Sequence, residues 1–209
     1  MSEEILINVT AREVRAAVVE NGMLQEIFIE RTSRRGLTGN IYKGRVMRVL
    51  PGMQAAFIDI GLPRTGFLHA SDIQPPNGAA PAAAGVETNI RQLLREGDTV
   101  LVQVAKDQLG SKGARLTTFI TLPSRYLVLL PSEASVGVSG RIEEESERGR
   151  LKTVITEVLA DSGATCGCIV RTAAEGMDSE SLRADLLFLR RLWALVANRA
   201  QQASVPALV

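Results

Sequence analysis

Residues 40–50 read NIYKGRVMRVL, residues 53–61 MQAAFIDIG and residues 65–73 TGFLHASDI. Each run has the make-up of a short β-strand, along which side chains alternate between two faces. In the second run Ala56, Ile58 and Ile60 form one uniformly apolar face, while Ala55, Phe57 and Asp59 form the other. In the third, Gly66 and Leu68 face inward, and Thr65, Phe67 and His69 face outward. Two Phe rings thus stand on the polar faces of successive strands. Unpaired bases stack on such rings at roughly 1–3 kcal/mol per base. Lys43, Arg45 and Arg48 on the first run supply charge for phosphates. The outline is an OB-type barrel that holds single-stranded nucleic acid. Phe is among the most often buried residues, so either ring taken alone reads more readily as core. Their joint position on the non-core faces is what favours a platform.

Upstream, Glu4–Val9 is an apolar run, and REVRAAVVE and MLQEIFIER meet at Asn21-Gly22, a pair that accepts the positive φ of a tight hairpin turn. The chain therefore opens with three strands, closed off by the polar break Thr32–Gly36. Downstream, Gln74 to Gly85 is a Pro/Ala/Gly-rich loop expected to be mobile. Asp98–Ala105 and Ala114–Leu122 read as the fourth and fifth barrel strands, with Gly110 and Gly113 shaping an excursion that presents Lys112. YLVLLP from Tyr126 and CGCIVRT from Cys166 read as buried strands. Glu143–Leu159 and Ser181–Arg199 carry helical spacing, the second with Asp178 or Ser179 as its cap. The expected class is α+β: a five-stranded OB-type barrel over residues 36–122, inserted into a mixed α/β subdomain resembling ribonuclease H, built from residues 1–35 and 123–209.

Composition is that of a globular protein, with 45% hydrophobic and 22% charged residues. Net charge is only +1, yet Gly36–Arg125 holds ten Lys/Arg against six Asp/Glu, a local +4 where the barrel is expected. Cys166 and Cys168 share one face of an apolar strand; a disulfide framework is excluded, and zinc would need partners that a chain with the single His69 does not offer. No apolar run reaches the ~18–20 residues of a membrane span, and the acidic start is unlike a signal peptide. A reduced, cytoplasmic protein with no membrane contact is expected.

Arg171 and Thr172 end a buried strand just before a capped helix, a place suited to an anion, since guanidinium and hydroxyl donors grip phosphate. The competing reading pairs Arg171 with Glu175 or Asp178. No catalytic or metal-binding set emerges. The strand centres ILINV, RAAVVE, LVLL and CGCIV carry Asn8 but no carboxylate of the kind that holds metal ions in ribonuclease H-type cleavage. Glu143, Glu144, Glu145 and Glu147 sit at a helix start, where acidic residues are favoured structurally.

Taken together, NIYKGRV, LPGMQAAFIDIG, GFLHASDI, KGARLTT, LPSRYLVLLP and IVRTAAEG resemble, in order and spacing, the N-terminal RNA-binding and 5′-sensing region of the bacterial ribonuclease E/G family, its ribonuclease G branch above all. The resemblance implies a single-strand-specific endoribonuclease of ribosomal RNA processing and messenger RNA decay. It implies an RNA partner with a 5′-monophosphate and a homo-oligomeric full-length protein. Phe57, Phe67 and Lys112 match residues that contact RNA. Arg171 and Thr172 match the pair that senses the 5′-phosphate, and Val128 an apolar residue of that pocket. Ribonuclease E also places an Arg before its RIE turn; here that position is Gly140, and Arg141 is the neighbouring candidate. The family's catalytic domain, Mg2+ ligands and Zn2+ link lie beyond the matched stretch. The chain alone is therefore expected to be inactive and free of cofactor. A free-standing, non-enzymatic regulator that binds single-stranded RNA is the alternative.

Overall fold

The computed structural model describes residues 2–75, 89–110, 112–163 and 165–209. From position 76 on, the loop expected to be mobile lies outside the described residues, but its first residue is anchored: the Gln74 amide nitrogen donates to the Ser132 carbonyl at 2.6 Å. Contacts divide the chain into residues 1–37 and 38–209.

In the first unit, β1 (Glu3–Val9), β2 (Glu13–Glu20) and β3 (Met23–Arg31) form an antiparallel meander. Asn21 and Gly22 turn the second hairpin with φ of 50° and 79°, the left-handed pair that a type I′ turn requires. Register places Ile7 beside Ala16 and Phe28 on one face, and Leu6 beside Ala17 and Ile27 on the other. The sheet is apolar on both sides.

The second unit opens with the barrel. β4 (Ile41–Leu50), β5 (Ala55–Asp59), β6 (Gly66–His69), β7 (Thr99–Lys106) and β8 (Arg115–Thr117) hydrogen-bond in the order β4-β5-β6-β8-β7. A β4–β7 pairing closes the ring, and β6–β8 is its one parallel seam. Ala56, Ile58, Ile60 and Leu68 fill the centre with Val46, Val102 and Leu116, as alternation requires. Ala55, assigned to the outer face, is buried as well. The short helix α1 (Ile90–Leu93) seats Ile90 in the interior.

The fifth strand is shorter than its expected span, Ala114–Leu122. Thr117 and Thr118 turn their hydroxyls onto the Asp72 carbonyl, and Phe119 N–H bonds back to Thr117 Oγ1, so the chain leaves the ladder. Buried Gln103, 6% exposed, then ties the barrel's entry to its exit. Its amide nitrogen donates to the Gly39 and Thr121 carbonyls at 3.0 and 2.9 Å, and its oxygen accepts the Thr121 N–H at 2.9 Å. A polar side chain inside a strand is tolerated because all these groups are satisfied.

Beyond the barrel, β9 (Leu122–Pro123), β10 (Leu127–Leu130), β11 (Val136–Val138) and β12 (Gly167–Val170) form a mixed sheet of order β11-β12-β10-β9. Helices α2 (Glu145–Asp161) and α3 (Ser179–Gln202) pack Leu151, Ile155, Leu182 and Leu186 against Leu127, Leu129, Cys168 and Val170. Asp178 caps α3 by accepting the Ser181 N–H at 2.8 Å. The chain closes with β13 (Ala207–Leu208), which pairs with the start of β4. The hydrogen-bonded strand orders are β1-β2-β3 in the first unit and β11-β12-β10-β9 after the barrel. β10 has both edges taken, by β9 and β12, and β1–β3 pair among themselves. Among the described residues no helix is long and apolar enough to cross a membrane.

Candidate nucleic-acid interface

Register explains the first site. β5 and β6 pair Phe57 directly with Phe67, so both rings project from the same face, with centroids 6.1 Å apart and planes at 65°. Each is only partly buried. They line an open cavity of about 800 Å³, with Met53, Pro63 and Thr65 as further walls and Arg64, Lys112 and Arg115 at its rim. The three cations differ in what they have left to give. Arg115 is spent on Asp72, with Nε and Nη2 at 3.0 and 2.9 Å. Arg64 donates to the Gly110 carbonyl and so holds the loop that carries Lys112. The Lys112 ammonium has no partner among the described residues.

Phe57, Phe67 and Lys112 are therefore brought together, whereas Lys43 and Arg45 are not part of this cavity. Lys43 points toward the end of α3 and donates to the Ala203 carbonyl at 2.9 Å. Arg45 is exposed across from Asp59. A register shift between Val46 and Arg48 brings Arg48, rather than Met47, opposite Phe57. Arg64 and Arg115 were not singled out from the sequence. Arg64 had a signal, a basic residue in the short link between two platform strands. Arg115 had none, because it is Phe67's neighbour only through the parallel β6–β8 seam.

The second site lies at one end of the post-barrel sheet. Cys168 and Val170 face the helices; Ile169, 39% exposed, and by alternation Arg171 share the opposite face. Val128 is the cross-strand partner of Ile169. Arg171 N–H donates to the Tyr126 carbonyl at 2.8 Å, and its guanidinium donates to the Ser124 carbonyl. Neither Glu175 nor Asp178 takes the guanidinium: Asp178 is occupied at α3, and no ion pair involves Glu175 among the described residues. Arg141 follows the turn in which Ser139 N–H bonds Val170 O at 2.8 Å, which puts it at the same sheet end as Arg171. The helix starts beyond Ala-Ala-Glu-Gly, as the sequence indicates, and so is not adjacent to Thr172. A 3-10 turn, Thr172–Ala174, intervenes, and α3 begins only at Ser179 with its own cap.

The loop after that turn is clamped from α2. Glu147 accepts from Arg150 at 2.6 and 2.7 Å and from Gly176 N–H at 2.8 Å, while Arg150 also donates to the Met177 carbonyl at 3.0 Å. These donors, Arg150 first, hold the Glu147 carboxyl at about 2, down from 4.5. A carboxyl depressed in the folded state stabilises the fold above its unfolded pKa, and loses that contribution as pH falls through the folded value. Glu147→Gln should therefore lower the denaturation midpoint at about pH 6, with the gap to wild type narrowing between 4.5 and 2. A gap independent of pH would remove the ion pair from the account.

Among the described residues no three His, Cys, Asp or Glu side chains converge. Burial, and then Cys166, push the Cys168 thiol up to about 12, away from the thiolate that zinc requires.

Residues 37–118 match the S1 RNA binding domain, and residues 121–209 the ribonuclease E/G family. The chain is 54% identical to ribonuclease G of Salmonella typhimurium (strain SL1344) over 205 residues, 97% of this chain and 41% of that protein. It is 52% identical to ribonuclease G of Haemophilus influenzae (strain ATCC 51907 / DSM 11121 / KW20 / Rd) over 199 residues, 94% of this chain and 40% of the relative. With ribonuclease E of Escherichia coli (strain K12) the identity is 38% over 208 residues, 99% of this chain and 19% of that protein. The chain thus spans less than half the length of these relatives. With a closed barrel that is an S1 RNA binding domain and a following ribonuclease E/G domain, the chain belongs to the ribonuclease E/G family.

Proposed function

We propose that this chain is the substrate-gripping portion of a single-strand-specific endoribonuclease that processes ribosomal RNA and degrades messenger RNA in the cytoplasm. The barrel, residues 36–122, holds unpaired nucleotides between Phe57 and Phe67, with Lys112 on the phosphates and Arg45 and Arg48 extending the track along β4. Lys43 is left out, because it does not line the cavity of the two rings and its ammonium points instead to the Ala203 carbonyl at the end of α3. Arg171, Thr172, Arg141 and Val128, in the portion from 123 to 209, receive a 5′-monophosphate and its first nucleotide. No described residue has a catalytic role in this reading. Hydrolysis, its metal ions and a homo-oligomeric assembly are assigned to the family's longer proteins.

One observation carries the 5′-phosphate assignment. The guanidinium of Arg171 is exposed and bonded to a carbonyl rather than to a carboxylate, so its charge is not cancelled. A hydrogen bond to a charged group contributes about 1.5–3 kcal/mol, or roughly a 10- to 150-fold preference in affinity. One short unstructured RNA, bearing either a 5′-monophosphate or a 5′-hydroxyl, should bind with a preference of that order for the phosphate, and Arg171→Ala should erase it. Equal binding of the two RNAs by the wild type would leave the barrel as the sole contact and sink the assignment.

A further inference from the structure

Asp185 lies half-buried on α3, fourteen residues beyond Arg171, and touches neither cavity nor phosphate site. Its Oδ2 nevertheless collects three donors: the Ser124 hydroxyl, and the N–H groups of Tyr126 and Leu127, each at 3.0 Å. No cation pairs with it among the described residues. The same turn is closed by Ser124 N–H donating to the Leu127 carbonyl at 2.8 Å. Arg171 hangs from that turn twice, by its N–H on the Tyr126 carbonyl and by its guanidinium on the Ser124 carbonyl. A carboxylate that accepts two or three donors fixes them firmly, since bonds to an ionised acceptor are short and strong.

We propose that Asp185 is a positioning residue for 5′-phosphate recognition: it fixes the 124–127 turn, and the Ser124 carbonyl in turn aims the Arg171 guanidinium. The inference rests on Arg171 being the phosphate ligand. Its logic is electrostatic. A carboxylate in direct contact with Arg171 would orient it and also compete with the phosphate for it. With the turn interposed, Asp185 transmits position while the guanidinium keeps its charge for the ligand.

The test uses the full chain and the two RNAs above, with affinities measured at fixed salt. Asp185→Ala should reduce the 5′-monophosphate preference about tenfold, the scale of one misdirected charge-assisted bond, while affinity for the 5′-hydroxyl RNA stays unchanged. Asp185→Asn, which keeps an oxygen acceptor, should retain most of the preference. In an Arg171→Ala background, Asp185→Ala should change the preference no further. If Asp185→Ala does not fold, Asp185→Glu carries the test: it keeps the charge, displaces the turn by a methylene, and must still lower the preference. A preference lost in Arg171→Ala but intact in folded Asp185→Ala or Asp185→Glu overturns this inference alone, as does an equal loss of affinity for both RNAs. A wild type without any preference overturns the phosphate site, and Asp185's role with it.

Discussion

Replacing Phe57 or Phe67 with alanine should weaken binding of a short unstructured RNA by about 5- to 150-fold, the equivalent of ~1–3 kcal/mol for one stacked base. The two rings are not independent. With their planes at 65° and centroids 6.1 Å apart, a base lying flat on one ring meets the edge of the other. The double variant should therefore lose much less than the two single losses added together, as expected for residues that share a partner. Both rings are partly exposed and neither belongs to the buried core, so the fold should survive. Titration of a labelled RNA by fluorescence anisotropy, beside a thermal melt, separates the effects. Unchanged RNA affinity in a folded Phe57→Ala chain would mean that the pair is a structural contact and that the nucleotides travel elsewhere. Full additivity would instead place a separate base on each ring.

Gly113→Ala should do more damage than removing the lysine beside it. A Cβ at Gly113 would stand 1.9 Å from the Thr65 carbonyl oxygen and 3.6 Å from Gly66 Cα. Both are backbone atoms and have no rotamer with which to yield. Either the loop bearing Lys112 lifts or the start of β6 moves, and both lie beside the parallel β6–β8 seam of the barrel. Phe67 N–H donates to the Ala114 carbonyl at 2.8 Å, so the displacement reaches a platform ring directly. Forcing a methyl into a packed site costs about 1–3 kcal/mol and sometimes more. The melting temperature should fall, and RNA affinity should fall further than in Lys112→Ala, which should melt near wild type. A Gly113→Ala chain that melts like wild type and binds RNA as tightly would show that the loop can lift without cost, and that the close approach to Thr65 has no part in shaping the cavity.

How much of this could be read without coordinates depends on the range over which each feature is decided. Strand alternation is a property of neighbouring peptide units, so Phe57 and Phe67 could be placed on outer faces from AFIDI and TGFLH alone. Asn21-Gly22 announced its turn in the same local way, and Asp178 its helix. Lys112 was legible because two glycines frame it. Irregularities in the ladder were not legible in this way. The bulge at Val46/Arg48 depends on pairing with β5, and the Thr-mediated exit after Thr117 on the carbonyl of Asp72, 45 residues away. Nothing in the vicinity of Lys43 in sequence says that its ammonium will turn to the Ala203 carbonyl, 160 residues away.

The sequence by itself determined the class of the fold, the order of its parts and the outward placement of Phe57 and Phe67. Only the tertiary structure decided that Lys43 would donate to the Ala203 carbonyl. The same holds for Arg115 beside Phe67, for Arg171 resting on a carbonyl, and for Asp185 and Glu147 bracketing its surroundings from two helices. The physical reason is one of scale. Propensity, alternation and capping are settled within a few residues, whereas the register of non-local strands and the partner of a long cationic side chain are settled by how whole elements pack, and that packing brings together groups 47 to 61 residues apart.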